Sequence, residues 1–356
     1  MGHRLLISLS IVTGAIAPLT GCAAPAGVET PAGPIQMGIQ ARVVQAAGTS
    51  PWNLTQIHRS GFRLQSGAGR PVVVAVLDTG VDPRQPDLAG RIYPNIDVVG
   101  KDVYTYDGRG IDYTGLDGNG HGTHVSGIVT QVSAGTDVRV LPIKVIPNSG
   151  VGDDHLLSTG IEKALAWRDP SDPSVRVRIM NLSVSSPQIS ERLKRAIRQA
   201  TQDGVLVVGA SGNSGRAVEF PALMPEVLSV GATTPEEHVA DYSSFGDAVD
   251  IAAPGGDDFS PIHSAWPSYL TATDIGAGVS EAHTDAGLVG TSMAAPHVSG
   301  TAAVLWALRP HLNATQVRSA LLAMADDRGA QGPDPYFGFG LLNFQRAYSG
   351  DRHDAR

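Results

Sequence analysis

Long apolar runs alternate with helical periodicities along most of this chain. Val72-Val73-Val74-Ala75-Val76-Leu77 is one unbroken run, the pattern of a strand covered on both faces, as in a parallel sheet. Similar runs recur at 138–146, 175–184, 205–208 and 227–230. Between them the apolar spacing becomes helical. Leu157, Ile161, Ala164 and Leu165 share one face of 156–167, and Leu193, Ala196, Ile197 and Ala200 share one face of 189–201. Residues 298–308 are apolar nearly all round, which predicts a buried helix. Residues 314–325 predict a last amphipathic helix with Asn313 as its N-cap. The alternation predicts an α/β fold, three layers deep, with a mostly parallel central sheet flanked by helices. No linker composition interrupts 60–348, so one domain is expected over 51–348, followed by a short tail, 349–356.

The N-terminus follows a different pattern. Arg4 precedes the apolar stretch 5–12, which is too short to span a bilayer and has the layout of a signal peptide. The stretch ends Leu19-Thr20-Gly21-Cys22, which resembles the bacterial lipobox. That resemblance implies cleavage before Cys22 and a lipid on its thiol; the alternative is an ordinary secretory signal with an incidental Cys. Residues 1–21 are thus expected to be a signal. Residues 22–50, rich in Ala, Gly, Pro and Thr, read as a flexible tether. The expected location is the bacterial cell envelope, at the outer membrane or cell surface, with secretion as the alternative.

Charge narrows the partners. The chain carries 34 acids against 26 Lys and Arg, a net charge of -8, with the bases unclustered; this leaves no footprint for nucleic acid. Cys22 is the single cysteine, so no intrachain disulfide can form. The 42 Gly and 24 Pro predict many tight turns.

Three segments carry the candidate chemistry: Asp78-Thr79-Gly80-Val81-Asp82 directly after the first buried strand, 118–127 around His121, and Gly290-Thr291-Ser292-Met293-Ala294-Ala295-Pro296-His297-Val298. Together they resemble the subtilase family of serine proteases, whose chain order is also Asp, His, Ser. The resemblance extends from Pro51-Trp52-Asn53-Leu54 to the stretch 338–343. It implies a catalytic triad of Asp78, His121 and Ser292, with Asn213 in 209–215 as the oxyanion donor. The physical reading is consistent. A serine hydroxyl needs an adjacent base, and Ser292 opens an apolar helix whose N-terminus favours developing negative charge. Pro296 is expected to be tolerated within that helix's first turn. His124 and His297 are expected to be buried structural residues.

The resemblance also places a substrate cleft, with Gly150, Val151 and Gly152 as one edge. Ser183, Val184 and Ser185 form the other edge and one S1 wall, and Ala210, Ser211 and Gly212 the opposite wall. An extended polypeptide substrate would lie between the edges as an added strand. This chain has Ser185 and Ser186 where the family often has Gly. No acid stands in the wall segments, so a broad or apolar P1 preference is expected. Phe220-Pro221 falls where the family has a cis bond.

Some features depart from the family pattern. Asp87 matches a calcium-ligating aspartate, yet the loop that completes that site is missing after 125–129. The acids Asp97, Asp102, Asp107, Asp112 and Asp117 fit no calcium-loop spacing. No metal ligands are therefore assigned; catalysis is expected to need no cofactor, and a structural calcium stays open without an identified site. Only about 28 residues separate Cys22 from Pro51, so a separate inhibitory prodomain is not expected. The stretch 255–289, with Trp266 and Tyr269, is longer than in compact members and is expected to be a surface loop or an added ion site. The leading expectation is a monomeric, membrane-tethered serine endopeptidase. Two alternatives are a catalytically silent binding protein on the same fold and an esterase; a G-x-S-x-G elbow is absent around Ser292.

Overall fold

The computed structural model describes residues 35–36, 51–60, 70–106 and 109–349. The signal, Cys22, Asp107 and the tail residues from 350 onward lie outside them.

The elements in order are β1 (Ile35–Gln36), α1 (Trp52–Gln56), β2 (Val72–Asp78), β3 (Ile96–Asp97), β4 (Val103–Tyr106), β5 (Arg109–Asp112) and α2 (His121–Val132). Next come β6 (Val138–Lys144), β7 (Val151–Gly152), α3 (Asp154–Ala166), β8 (Val177–Leu182), α4 (Glu191–Gln202), β9 (Leu206–Ala210) and β10 (Val227–Thr233). The chain closes with β11 (Ile251–Pro254), β12 (Ile262–Ala265), α5 (Ala272–Gly276), β13 (Asp285–Leu288), α6 (Thr291–Leu308), α7 (Ala314–Ala323) and α8 (Phe344–Ser349).

Seven strands form the central sheet in the order β11-β10-β9-β8-β2-β6-β3. All six pairings are parallel. The β-branched runs account for this: β2 is buried along its whole length, which requires cover on both faces. One face carries α2, α6 and α7, packed through Val125, Ile128, Val298, Val304 and Val317. The other carries α3 and α4, packed through Leu157, Ile161, Leu193 and Ile197. The fold is the expected three-layer α/β architecture. Helix caps follow local chemistry. Asp153, Ser190 and Asn313 each accept a hydrogen bond from the backbone three residues on, satisfying donors that a helix start leaves open.

Two placements differ from the sequence expectation. The first concerns Pro296. Helix α6 begins at Thr291, so Pro296 is its sixth residue and lies beyond the first turn. A proline there removes the N–H that would reach Ser292 O. Ser183 Oγ–H donates to that carbonyl instead, at 2.8 Å. The second is the stretch 255–289, whose β12–β13 hairpin and buried Trp266 and Asp274 make it part of the packed body. In the stretch read as a tether, Ile35–Gln36 pairs antiparallel with β7, Ile35 opposite Gly152 and Gln36 opposite Val151.

Candidate active site

The carboxyl end of the sheet, where crevices form in such folds, gathers the residues singled out from the sequence. Asp78 is the last residue of β2 and is fully buried. Its Oδ1 accepts from Thr79 N at 2.8 Å and contacts His121 Nδ1 at 2.7 Å. A carboxylate only accepts, so Nδ1 carries the proton and Nε2 keeps its lone pair. Among the described residues Nε2 has no hydrogen-bond partner. Ser292 is the second residue of α6; its Oγ–H donates to Ser183 O at 3.0 Å. The structure thus joins Asp78 to His121, while the Ser292 hydroxyl is held by the carbonyl of Ser183. The N-terminal N–H groups of α6 lack intrahelical acceptors, and the helix dipole adds positive potential there.

Asn213 is oriented from the same helix. Its Oδ1 accepts from Thr291 N at 2.9 Å and Thr291 Oγ1 at 2.7 Å. With the oxygen committed, the amide NH2 lies at the opposite end of the planar group. Ser183 follows β8 and Ala210 ends β9, so neighbouring parallel strands set the segments 183–185 and 210–212 side by side. Asn181 Nδ2 donates to Ser183 Oγ at 2.9 Å, and Ser299 Oγ donates to Asn181 Oδ1 at 2.8 Å. This chain of bonds ties the wall at 183 to α6. Val151 of the facing edge is exposed. Gly150 lies in the turn before β7, with φ +75°.

The loop before His121 is built around Asp117, which accepts from Asn119 N and Gly120 N through Oδ1, and from Thr123 N and Oγ1 through Oδ2. It caps α2 in place of Gly120, which has no side chain to do so. The hairpin stretch covers this loop from outside. Ala272 N donates to Gly118 O at 2.7 Å, and Tyr113 Oη to Leu270 O at 2.7 Å. Trp266 Nε1 donates to Asp274 Oδ2 at 3.0 Å, and the His283 ring stacks on the indole with centroids 6.0 Å apart. Sequence reasoning missed this clamp, although a Trp within a loop of mixed polarity was a visible signal.

Sequence reasoning also missed Lys144. It is buried at the end of β6, beside Asp78 in the sheet register. Its Nζ donates to Thr79 O at 3.0 Å and sits 2.8 Å from Asp102 Oδ2. Asp102 also accepts from Asn148 N and Nδ2 at 2.9 and 2.6 Å, and Asn119 Nδ2 donates to Asn148 O. One buried ion pair thereby links the Asp78 corner, the His121 loop and the approach to β7. The signal was a lysine amid the apolar run 140–146.

His124 and His297 are buried. Burial lowers the His297 pKa to about 4 and the His124 pKa to about 3. His297 Nδ1–H donates to Met293 O, leaving Nε2 to accept from Asn53 Nδ2. Of the acids considered for calcium, Asp97, Asp102, Asp112 and Asp117 each accept backbone or side-chain hydrogen bonds. Among the described residues no group of three or more His, Cys, Asp or Glu could hold a metal ion. No described helix is long and apolar enough to cross a membrane.

The sequence profile of the subtilase family (Peptidase S8) matches residues 69–340. Subtilisin DY of Bacillus licheniformis is 31% identical over 313 residues, covering 85% of this chain and 99% of that protein. Subtilisin Savinase of Lederbergia lenta is 32% identical over 309 residues, with the same coverage of each. Among solved structures, a lanthipeptide protease superposes with a TM-score of 0.63 at 27% identity, covering 78% of this chain and 87% of the other.

Proposed function

Because the chain belongs to the subtilase family, and is therefore a serine-type endopeptidase, we propose that Asp78, His121 and Ser292 are its catalytic triad. The contact that carries this reading is His121 Nδ1 to Asp78 Oδ1 at 2.7 Å. It fixes the tautomer in which Nε2 is a base. Nε2 takes the Ser292 proton as Oγ attacks the peptide carbonyl. The imidazolium formed is stabilised by Asp78 and then protonates the leaving amine. Water hydrolyses the resulting acyl ester by the same route. Asn213 Nδ2 and the Ser292 backbone N–H stabilise the oxyanion. No step calls on a cofactor.

The polypeptide substrate lies as an extended strand between Gly150-Val151-Gly152 and Ser183-Val184-Ser185, with its P1 side chain between the latter and Ala210-Ser211-Gly212. Support for the first edge is that it already accepts an antiparallel strand, Ile35–Gln36. Reaction of the full chain with a fluorophosphonate probe, followed by mass mapping, tests the reading. Labelling is expected at Ser292 and lost in His121→Ala. Folded protein that is never labelled would favour a silent binding role instead.

The N-terminal sequence supports export and tethering to the bacterial envelope; the enzyme is taken to act as a monomer. In this reading 1–21 is removed, Cys22 carries the lipid, 22–50 tethers the domain 51–348, and 349–356 is a tail. Metabolic labelling with palmitate is expected to mark the chain and to be lost in Cys22→Ser.

A further inference from the structure

The two S1 walls are joined by a third segment. Glu219 N–H donates to Ser211 O at 2.9 Å, and Phe220 exchanges hydrogen bonds of 2.9 and 2.8 Å with Ser186. Residues 219 and 220 therefore cross from one wall to the other and close the slot between them. Phe220 directs its ring toward Lys194, at 5.6 Å, and the core beneath α4. Successive side chains on extended backbone point to opposite sides, so Glu219 turns the other way. Its carboxyl group lies against Gly212, the residue before Asn213. A methyl built on Gly212 would stand 3.1 Å from both Glu219 Cδ and Oε2. Gly212 also has φ +111°, so two constraints keep side-chain bulk out of that end of the slot.

Glu219 is half-buried. Among the described residues its carboxylate has neither a hydrogen bond nor an ion pair, unlike Glu191, Glu226 and Glu237, which have basic partners. A carboxylate that is partly desolvated and unpaired gains by receiving a cation. A cation carried on a long stem suits this position, since its methylene groups can lie along the backbone of the walls while the charged end reaches the acid.

We propose that Glu219 is the floor of the S1 pocket and selects Lys or Arg at P1. This rests on the triad and cleft proposed above, and it replaces the broad or apolar preference expected from the wall segments alone.

The test uses the full chain and a set of fluorogenic peptides that differ only at P1. With Arg or Lys there, kcat/KM is expected to exceed that for Leu or Gln by about 10- to 100-fold, the range for a hydrogen bond to a charged group. Glu219→Gln should bring the ratios near unity by lowering kcat/KM for the Arg and Lys peptides. Glu219→Lys should favour Glu at P1. A wild-type enzyme indifferent to charge at P1, or a basic preference that survives Glu219→Gln, would overturn the proposal. A second measurement does not depend on the triad. Ser292→Ala protein is expected to bind p-aminobenzamidine, and Glu219→Gln in that background to weaken binding at least tenfold. Equal binding by the two proteins refutes the acidic floor even if no peptide is cleaved; weakened binding without any cleavage refutes the triad reading alone.

Discussion

Trp266 stands against the α-carbon of Gly120, so close that a methyl group placed there would meet Cε2 of the indole at 2.7 Å and two further ring carbons at shorter range. Gly120 also has φ +103°, outside the range that side chains favour. Gly120→Ala should therefore cost about 1–3 kcal/mol of stability through overpacking, with an additional backbone penalty. Because His121 follows directly, kcat should fall with it. Chemical denaturation together with steady-state kinetics checks both; an alanine variant with unchanged stability would mean that the indole moves aside freely.

Asn213→Ala removes the amide donor but leaves Thr291 and α6 in place. The expected result is a loss of about 10²–10³ in kcat with little change in KM, the range known for the oxyanion asparagine of subtilisin itself. A variant that instead raised KM at constant kcat would assign Asn213 to substrate binding.

Lys144→Met leaves Asp102 buried opposite an apolar chain. Breaking one side of a buried pair costs about 3–5 kcal/mol, and the double variant Lys144→Met, Asp102→Asn should recover part of it. Thermal unfolding of the three proteins measures this. A single variant as stable as the parent would show that the pair carries no net stabilisation.

Stability should fall on acidification. Unfolded histidine titrates near 6.5, whereas burial lowers the His297 pKa to about 4. Between these values the unfolded chain binds more protons, so stability rises with pH across the window and is lost as pH drops through it. At about 1.4 kcal/mol per pH unit, the loss from His297 approaches roughly 3 kcal/mol by pH 4. His124 acts in the same direction. In His297→Gln the urea midpoint should depend less steeply on pH from 6.5 to 4; an unchanged slope would assign the dependence elsewhere.

The sheet was readable because its strands are continuous apolar runs, and a run buried on both faces has few alternatives. The helix faces were readable from spacing alone. Strand β11 was not, since Ile251-Ala252-Ala253-Pro254 is short and ends in proline. The three chemistry-bearing segments stood out because they pair a reactive side chain with glycines. What surrounds them did not stand out. Lys144 finds Asp102 from 42 residues away in the chain, and Glu219 reaches Gly212 only because an exchanged hydrogen-bond pair with Ser186 draws its segment across the slot. Pairings of this kind depend on how loops dock, which local periodicity does not encode. The hairpin over His121 was hidden for a related reason: Trp266 is buried by distant partners.

The pairing of Ile35–Gln36 with Val151–Gly152 gives the proposed substrate cleft a resident competitor. The two residues belong to the same chain as the cleft, ahead of α1, and an attached segment competes at an effective concentration set by its covalent connection. Diluting the enzyme leaves that concentration unchanged, because the competitor travels with it. On the proposed cleft, an incoming peptide therefore registers only the difference between its own affinity and that of the strand it displaces.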